Sequence, residues 1–286
     1  MTGQTTTLET PVAIQGPDAR RGSTLGDVWV VARRGLRHMR RQPEVLADAT
    51  FQPVMFVLLF AYVFGGAIPV PGGGSYREFL IGGIFAQTIV FGGSFGVAMA
   101  IAADRSNGAI DRFRSLPIAR GAVLGGHATA NLIKALLPML LMSVCGLIVG
   151  WRIHTDVGHA AAAYGLLVVF AFAMIWIGVL LGSLLSSPEA VQGVAFVAIF
   201  PVTFIASTFV PTSTLPGVLR TFAQWNPVTS LAGSLRSLFG NPEAYAGPGA
   251  PWSLQHPIIY TLLCSALIVA VCAPLAINRY QRSIAD

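Results

Sequence analysis

The sequence predicts an all-α membrane protein with several transmembrane helices. Only 10% of the residues are charged, 54% are apolar, and the mean hydropathy is +0.67. Soluble chains of this size carry roughly a quarter charged residues. The alternation of apolar and polar residues that is typical of barrel strands is absent. These observations indicate a polytopic helical protein of the membrane class.

Six apolar stretches are long enough to cross a bilayer, which takes about 20 apolar residues in a helix. We predict spans at Ala49–Ile68, Phe79–Ala103, Val123–Gly150, Ala160–Leu185, Ala190–Phe209 and Pro257–Asn278. The second stretch is rich in glycine, which favours close approach of neighbouring helices. Its glycines are Gly82, Gly83, Gly92, Gly93 and Gly96.

The distribution of Lys and Arg predicts the orientation. With the N-terminus inside, seven precede the first span, four lie in the 104–120 loop and two follow the last span, against four on the outer side. This bias places both termini and the 104–120 loop in the cytoplasm of a multi-pass plasma-membrane protein. Residues 1–48 contain no apolar region typical of a signal peptide, so we expect the first span to act as an uncleaved anchor.

The N-terminal region divides into two parts. Residues 1–22, rich in Thr, Pro and Gly, are predicted to be a disordered tail. Residues 23–43 place apolar side chains such as Trp29 on one helical face and arginines on the remainder, including Arg33, Arg34 and Arg37. This pattern predicts an amphipathic helix in the membrane interface. The alternative, a soluble packing helix, has no soluble domain to pack on, and residues 44–286 form the predicted transmembrane domain.

The segment 104–120 concentrates charge between two apolar stretches. It holds six charged residues around Phe113, Leu116 and Ile118. We interpret it as a cytoplasmic docking element whose apolar side chains fill a groove while its arginines meet carboxylates or lipid headgroups. A solvated loop and a purely topological role for the arginines are the alternatives. The candidate docking residues are Asp104, Arg105, Gly108, Asp111, Arg112, Phe113, Arg114, Leu116 and Pro117.

The chemistry of the chain excludes several functions. A phosphate-binding loop needs a glycine-rich turn ending in Gly-Lys-Ser/Thr, whereas Lys134, the only lysine, follows Ile133 in an apolar run. No catalytic set is present, and we expect no metal or cofactor in this chain. The three cysteines lie in apolar runs without a CxxC pair, and His154, Asp156 and His159 are interpreted as solvated loop residues. The basic surplus indicates cytoplasmic loops and anionic lipid rather than nucleic acid.

A few side chains are candidates for lining a path through the membrane. The amides of Gln52 and Gln87 are expected to face protein or water. Phe56 could line the same path or face lipid. Lys134 could line the path, pair with a neighbouring helix, or extend its ammonium to the cytoplasmic interface. The predicted spans contain no carboxylate, which disfavours an ion-driven carrier.

The connection between the fifth and sixth spans is long and apolar. Residues 210–245 contain short apolar runs divided by prolines, each too short to span. Such runs predict re-entrant or interfacial half-helices on the outer side.

Two motifs resemble a known family. The run Asn107-Gly-Ala-Ile-Asp-Arg-Phe-Arg-Ser-Leu-Pro-Ile118 resembles the permease subunits of ABC type-2 exporters, and most closely the daunorubicin-resistance permeases. A second stretch, Phe200-Pro-Val-Thr-Phe-Ile-Ala-Ser-Thr-Phe-Val-Pro211 with Trp225-Asn-Pro-Val-Thr229, is similar to the end of the family's fifth span and its re-entrant helices. Asp104 and Arg105 stand where many of these permeases carry a Glu.

The resemblance implies the ABC type-2 exporter fold and an ATP-driven exporter. Segment 104–120 would then be the coupling helix, and two copies of a separate ATP-binding subunit would hold the ATP and Mg²⁺. A second permease chain completes the channel, with a homodimer favoured over a heterodimer. The substrate would be an amphipathic drug, an antibiotic or a lipid exported from a bacterium. An ion-driven carrier or channel is the main alternative, and a membrane-embedded enzyme or assembly factor is the third.

Overall fold

The computed structural model describes residues 43–65, 68–70, 73–106, 120–185, 187–242 and 249–285, without the side chains of residues 43–50, 120–127 and 280–285. The predicted tail at 1–22 and nearly all of the interfacial helix predicted at 23–43 lie outside these residues, as does segment 107–119 of the docking element.

Every regular element in the described ranges is a helix. The helices are α1 (Pro43–Leu58, continued by a π-helical turn at Leu59–Val63), α2 (Tyr76–Ser106), α3 (Arg120–Val149), α4 (Val157–Leu184), α5 (Pro188–Phe204), α6 (Gly217–Gln224), α7 (Pro227–Phe239), α8 (Trp252–Gln255) and α9 (Pro257–Ala285).

Four of the predicted spans are confirmed as helices long and apolar enough to cross a membrane. They are Tyr76–Ser106, Ala128–Val149, Val157–Leu184 and Pro257–Arg279. The first and fifth predicted spans correspond to shorter apolar helices at Phe51–Val63 and Pro188–Phe204. Their crossing of the membrane stays a prediction.

Polar residues define where several helices begin and end. The carboxylate of Asp156 accepts a hydrogen bond from the N–H of Gly158 at 3.0 Å and caps α4. Asn226 caps α7 in the same way, accepting from the N–H of Val228 at 2.9 Å. Side-chain oxygens of this kind satisfy N–H groups that have no partner within the helix. Gly240 ends α7 with a φ of 70°, a conformation that glycine adopts at little cost.

The prediction for the end of α5 was wrong. The helix ends at Phe204 rather than Phe209, because the chain turns at residues 205–209. There the N–H of Ser207 donates to the hydroxyl of Thr229 on α7 at 3.0 Å instead of continuing the helix. This turn brings the end of α5 against α7.

Helix α4 lies against α2, α3, α7 and α9, and glycine permits its close approach to α2. A Cβ added at Gly178 of α4 would lie 2.6 Å from the carbonyl oxygen of Gly93 on α2. The predicted role of glycine is confirmed at Gly82, Gly83 and Gly93, where an added Cβ would overlap a neighbouring element. At Gly92 no atom of the neighbouring elements that the structure describes lies within 4 Å of an added Cβ.

The two short helices after α5 differ in burial. Helix α7 packs among α2, α4 and α9, and most of its side chains are buried, including Arg236. Helix α6 exposes most of its side chains, with Val218, Leu219 and Phe222 among them. Both helices lie within 210–245, where the sequence predicts re-entrant or interfacial half-helices without distinguishing these environments. We call the end of the bundle that carries α6 and α7 the outer end, after the predicted orientation.

Candidate functional site

A small pocket lies between α1 and α2, about midway along both helices. It is lined by Gln52, Pro53 and Phe56 from α1 and by Gln87, Thr88 and Phe91 from α2. Its volume of about 30 Å³ is enough for a water molecule or a small group. The structure therefore brings together three of the four residues predicted to line a path, namely Gln52, Phe56 and Gln87.

The polar groups of this pocket have few protein partners. The hydroxyl oxygen of Thr88 is buried and has no hydrogen-bond partner among the described residues. Gln87 lines the pocket beside it and is only 4% exposed. A buried polar group left without a partner costs about 1–3 kcal/mol. The pocket is thus prepared to bind water or the polar group of a ligand.

Three π-helical turns occur in the helices around this pocket. They lie at Leu59–Val63 in α1, Phe91–Gly96 in α2 and Ala195–Ile199 in α5. A π-helical turn changes the direction of the side chains that follow it, and such turns are frequent at functional sites. The sequence does not predict these turns, because one additional residue in a turn leaves no mark on an almost uniformly apolar stretch.

Phenylalanine rings continue from the pocket toward the outer end. The ring of Phe56 lies 5.5 Å from that of Phe209 and 6.3 Å from that of Phe204, measured between centroids. Phe60 stacks on Phe209 at 4.4 Å and on Phe64 at 5.1 Å. We call this row the outer seam: the rings of Phe56 and Phe60 contact Phe204 and Phe209, and Phe64 extends the row by its contact with Phe60. Rings in such arrangements attract one another by about 0.5–1.5 kcal/mol per pair beyond the effect of burial.

A buried arginine joins three elements at the outer end. Arg236 of α7 is 0% exposed, and its Nε donates to the carbonyl of Phe79 on α2 at 2.8 Å. Its Nη1 donates to the hydroxyl of Ser207 at 2.9 Å, and Nη2 donates to the carbonyl of Ser207 at 2.7 Å. We call α7, the outer end of α2 and the turn at 205–209 the pinned unit.

Glycine makes the contacts of Arg236 possible. A Cβ added at Gly82 would lie 2.9 Å from the Cγ of Arg236, and one added at Gly83 would lie 1.9 Å from the carbonyl oxygen of Thr208. The sequence places Arg236 on the predicted outer side, among the short apolar runs of 210–245, and does not predict its burial. The available signal was a lone arginine among small and apolar residues, opposite a Gly-Gly pair in another span.

The described part of the docking segment lies at the opposite end of the bundle. Asp104 and Arg105 occupy the last turn of α2, and the Nη1 of Arg105 donates to the carbonyl of Ser183 on α4 at 3.3 Å. The carboxylate of Asp104 attracts the ammonium of Lys134 on α3, which does not line the pocket. The other seven predicted docking residues lie outside the described residues, namely Gly108, Asp111, Arg112, Phe113, Arg114, Leu116 and Pro117. The same holds for Trp29, Arg33, Arg34 and Arg37 of the predicted interfacial helix.

The loop before α4 has a structural role at the outer end. The Nε2 of His154 lies 2.8 Å from the Oε1 of Glu78 at the start of α2. The backbone N–H of His154 donates to the carbonyl of Phe239. The hydrogen bond from His159 lowers the pKa of the Asp156 carboxyl below its ordinary value, and the cap on α4 therefore stays ionised in mild acid. The described residues contain no group of three or more potential ligands that could hold a metal ion.

Comparison with known proteins assigns this architecture to a family. Residues 26–239 match the ABC-2 type transporter family, to which the chain therefore belongs. It is a membrane permease of this class, as the resemblance of its motifs implies.

Curated relatives extend over most of the chain. The chain is 28% identical over 259 residues to the daunorubicin resistance ABC transporter permease protein DrrB1 of Streptomyces coeruleorubidus, covering 91% of this chain and 86% of the relative. It is 26% identical to the probable doxorubicin resistance permease DrrC of Mycobacterium tuberculosis, strain H37Rv, covering 87% and 86%. It is also 20% identical to the inner membrane transport permease YadH of Escherichia coli K12, covering 74% and 81%.

Proposed function

We propose that this chain is the permease subunit of an ATP-driven exporter that moves amphipathic drugs, antibiotics or lipids outward across a bacterial plasma membrane. The family match over residues 26–239 carries the proposal. The pocket between α1 and α2 supports it, because apolar rings and two amide side chains meet there within the membrane-spanning part of the chain. Such a lining suits a substrate with both an apolar and a polar part.

The proposed complex contains two copies of this permease and two ATP-binding subunits. ATP and Mg²⁺ belong to the partner, since this chain has no phosphate-binding loop. Each permease crosses the membrane six times with both termini in the cytoplasm, and α6 and α7 enter the membrane from the outside as a re-entrant pair. The helix at 23–43 and the coupling helix at 104–120 contact the ATP-binding subunits.

The position of Asp104 and Arg105 supports this route of coupling. Both lie where α2 leads into the docking segment, and each interacts with another span, α3 through Lys134 and α4 through Ser183. A displacement of segment 104–120 by the ATP-binding subunit would therefore be transmitted to three spans at once. In this proposal Lys134 belongs to the coupling region rather than to the path.

Transport in vesicles tests the proposal. The permease and its cognate ATP-binding subunit are co-purified, their ratio is measured by native mass spectrometry, and the complex is reconstituted into vesicles. We expect a ratio of two to two and ATP-dependent movement of doxorubicin, the compound to which the mycobacterial relative's name refers. A partner subunit unable to hydrolyse ATP is the control.

Two results would contradict the proposal. Failure of the two subunits to form a complex would remove the basis for ATP-driven export. Transport that stops with a protonophore but continues without ATP would favour the alternative, an ion-driven carrier.

A further inference from the structure

We propose that the outer seam is the part of the outer end that opens to release substrate, while the pinned unit keeps its shape. This inference rests on the proposed function and adds to it the route by which substrate leaves the pocket. It assigns Phe60 and Phe209 as the pair of side chains that must separate.

The pinned unit is held by buried hydrogen bonds, and the charged guanidinium of Arg236 donates several of them. In addition to the bonds of Arg236, the hydroxyl of Tyr76 on α2 donates to the carbonyl of Phe209 at 2.8 Å. The amide of Asn226 donates to the carbonyl of Val202 at 2.7 Å, which ties α5 to the start of α7. Separation of these elements would leave a buried guanidinium and several carbonyls without partners, and such a change is costly in a membrane.

The seam lacks bonds of this kind. No hydrogen bond connects the described side chains of α1, residues 51–65, to the described part of another span; the guanidinium of Arg77 on α2 lies 5.1 Å from the ring centroid of Tyr62. The contacts of α1 with Phe204 and Phe209 are ring contacts. Ring contacts have no strict geometry, and an apolar substrate that enters between two rings replaces the contacts that it breaks. The outer end therefore separates more readily along α1 than within the pinned unit.

The seam also leads from the pocket to the surface. Phe56 lines the pocket and contacts Phe209, Phe60 follows one turn further along α1, and Phe64 at the end of the row is 39% exposed. The main chain of Phe209 belongs to the pinned unit, since Tyr76 binds its carbonyl, whereas its ring faces α1. Phe209 thus belongs to the fixed side of the seam.

A reversible crosslink across the seam tests this inference. Cys145, Cys264 and Cys272 are replaced by serine, and Phe60→Cys with Phe209→Cys is introduced. The complex with the ATP-binding subunit is treated with a bifunctional thiol reagent of ring-contact length whose bonds a reductant cleaves. We expect doxorubicin transport to fall by at least about tenfold and to return after reduction, because substrate release requires the exit to open.

A matched crosslink elsewhere at the outer end is the control. The rings of Trp225 and Tyr260 lie 6.0 Å apart, and the hydroxyl of Tyr260 donates to the carbonyl of Trp225. Crosslinking Trp225→Cys with Tyr260→Cys should leave most of the transport intact. Full transport through a seam whose crosslink is verified by mass spectrometry overturns the inference. Equal loss with the control pair also overturns it, because the whole outer end would then have to move.

The seam and the proposed function can fail separately. A cysteine-free complex that does not move doxorubicin with ATP contradicts the proposed function, and the seam is then tested without transport. Spin labels at Phe64→Cys on α1 and at Ser213→Cys, in the turn that follows Phe209, report the distance between α1 and the chain next to the fixed side of the seam. We expect this distance to increase on binding of a nonhydrolysable ATP analogue, and an unchanged distance with nucleotide bound overturns the inference. The same spin-label distance tests whether the seam opens if the variant with Phe60→Cys and Phe209→Cys is inactive before crosslinking.

Discussion

The guanidinium of Arg236 lies over the ring of Phe79, with 3.6 Å between its central carbon and the ring centroid, while its Nε donates to the carbonyl of the same residue. Phe79 therefore contacts the charged guanidinium with both its ring and its main-chain carbonyl. A cation over an aromatic face is stabilised more strongly when water is excluded. This pair explains how an arginine with no exposed surface is accommodated between α2 and α7.

Replacement of this arginine should destabilise the fold. Arg236→Met keeps a similar length but leaves the acceptors of Phe79 and Ser207 without a donor, and we expect a loss of at least about 3 kcal/mol. The thermal midpoint of the detergent-solubilised protein measures it. The control is Arg220→Met in α6, where the arginine is exposed and we expect a change of about 0.5 kcal/mol. Equal midpoints for the two variants would contradict the importance of the buried network.

A methyl group at Gly83 should also be disruptive. The added Cβ would lie 1.9 Å from the carbonyl oxygen of Thr208, and Gly83→Ala must therefore push the turn at 205–209 away from α2. We expect a destabilisation of about 1–3 kcal/mol, as for other overpacked sites. Gly92→Ala in the same helix is the control, since no atom of the described neighbouring elements lies within 4 Å of its added Cβ. A thermal midpoint for Gly83→Ala at or above that of Gly92→Ala would contradict this packing.

Removal of the Thr88 hydroxyl should affect substrate binding and not stability. This hydroxyl has no partner among the described residues, so Thr88→Val should leave the thermal midpoint unchanged or raise it. Under the proposed function, the KM for a substrate with a polar group should increase. Thr229→Val is the contrasting variant, because it removes the acceptor for the N–H of Ser207 and should cost about 1–3 kcal/mol. An unchanged KM for Thr88→Val would argue against a substrate contact in the pocket.

Reversal of charge in the docking segment should uncouple the two subunits. Arg112→Glu with Arg114→Glu should abolish transport and its link to ATP hydrolysis, while the thermal midpoint stays that of the wild type. Arg152→Glu, in the loop at the predicted outer side, changes the charge in the same direction and should leave coupling intact. Normal transport by the double variant would refute the docking role.

The sequence was sufficient to predict the features that depend on polarity along the chain. A long apolar run needs no partner to be identified as a span, and a glutamine within such a run stands out because its amide is costly in lipid. For this reason four spans and the pocket residues Gln52 and Gln87 could be selected before any distance was known.

Features that depend on distant parts of the chain could not be predicted. Arg236 is 157 residues from Phe79, and its other partners lie in a turn that was expected to be helical. A lone arginine among small and apolar residues marks an unusual position, but the local sequence does not show which distant carbonyls would bind it. The same applies to the phenylalanines of α1, whose spacing suits lipid and protein equally and whose partners lie on α5 and the following turn.

The π-helical turn at Phe91–Gly96 has a consequence for how such a protein can diversify. A π-helical turn accommodates one residue more than the α-helical turn that it replaces, so the deletion of one residue here would restore a regular α-helix. Gln87 and Thr88 before the turn, and Asp104 and Arg105 after it, would then keep their orientations. The gain or loss of one codon within this turn could thus be absorbed without changing how the pocket is aligned with the other end of α2.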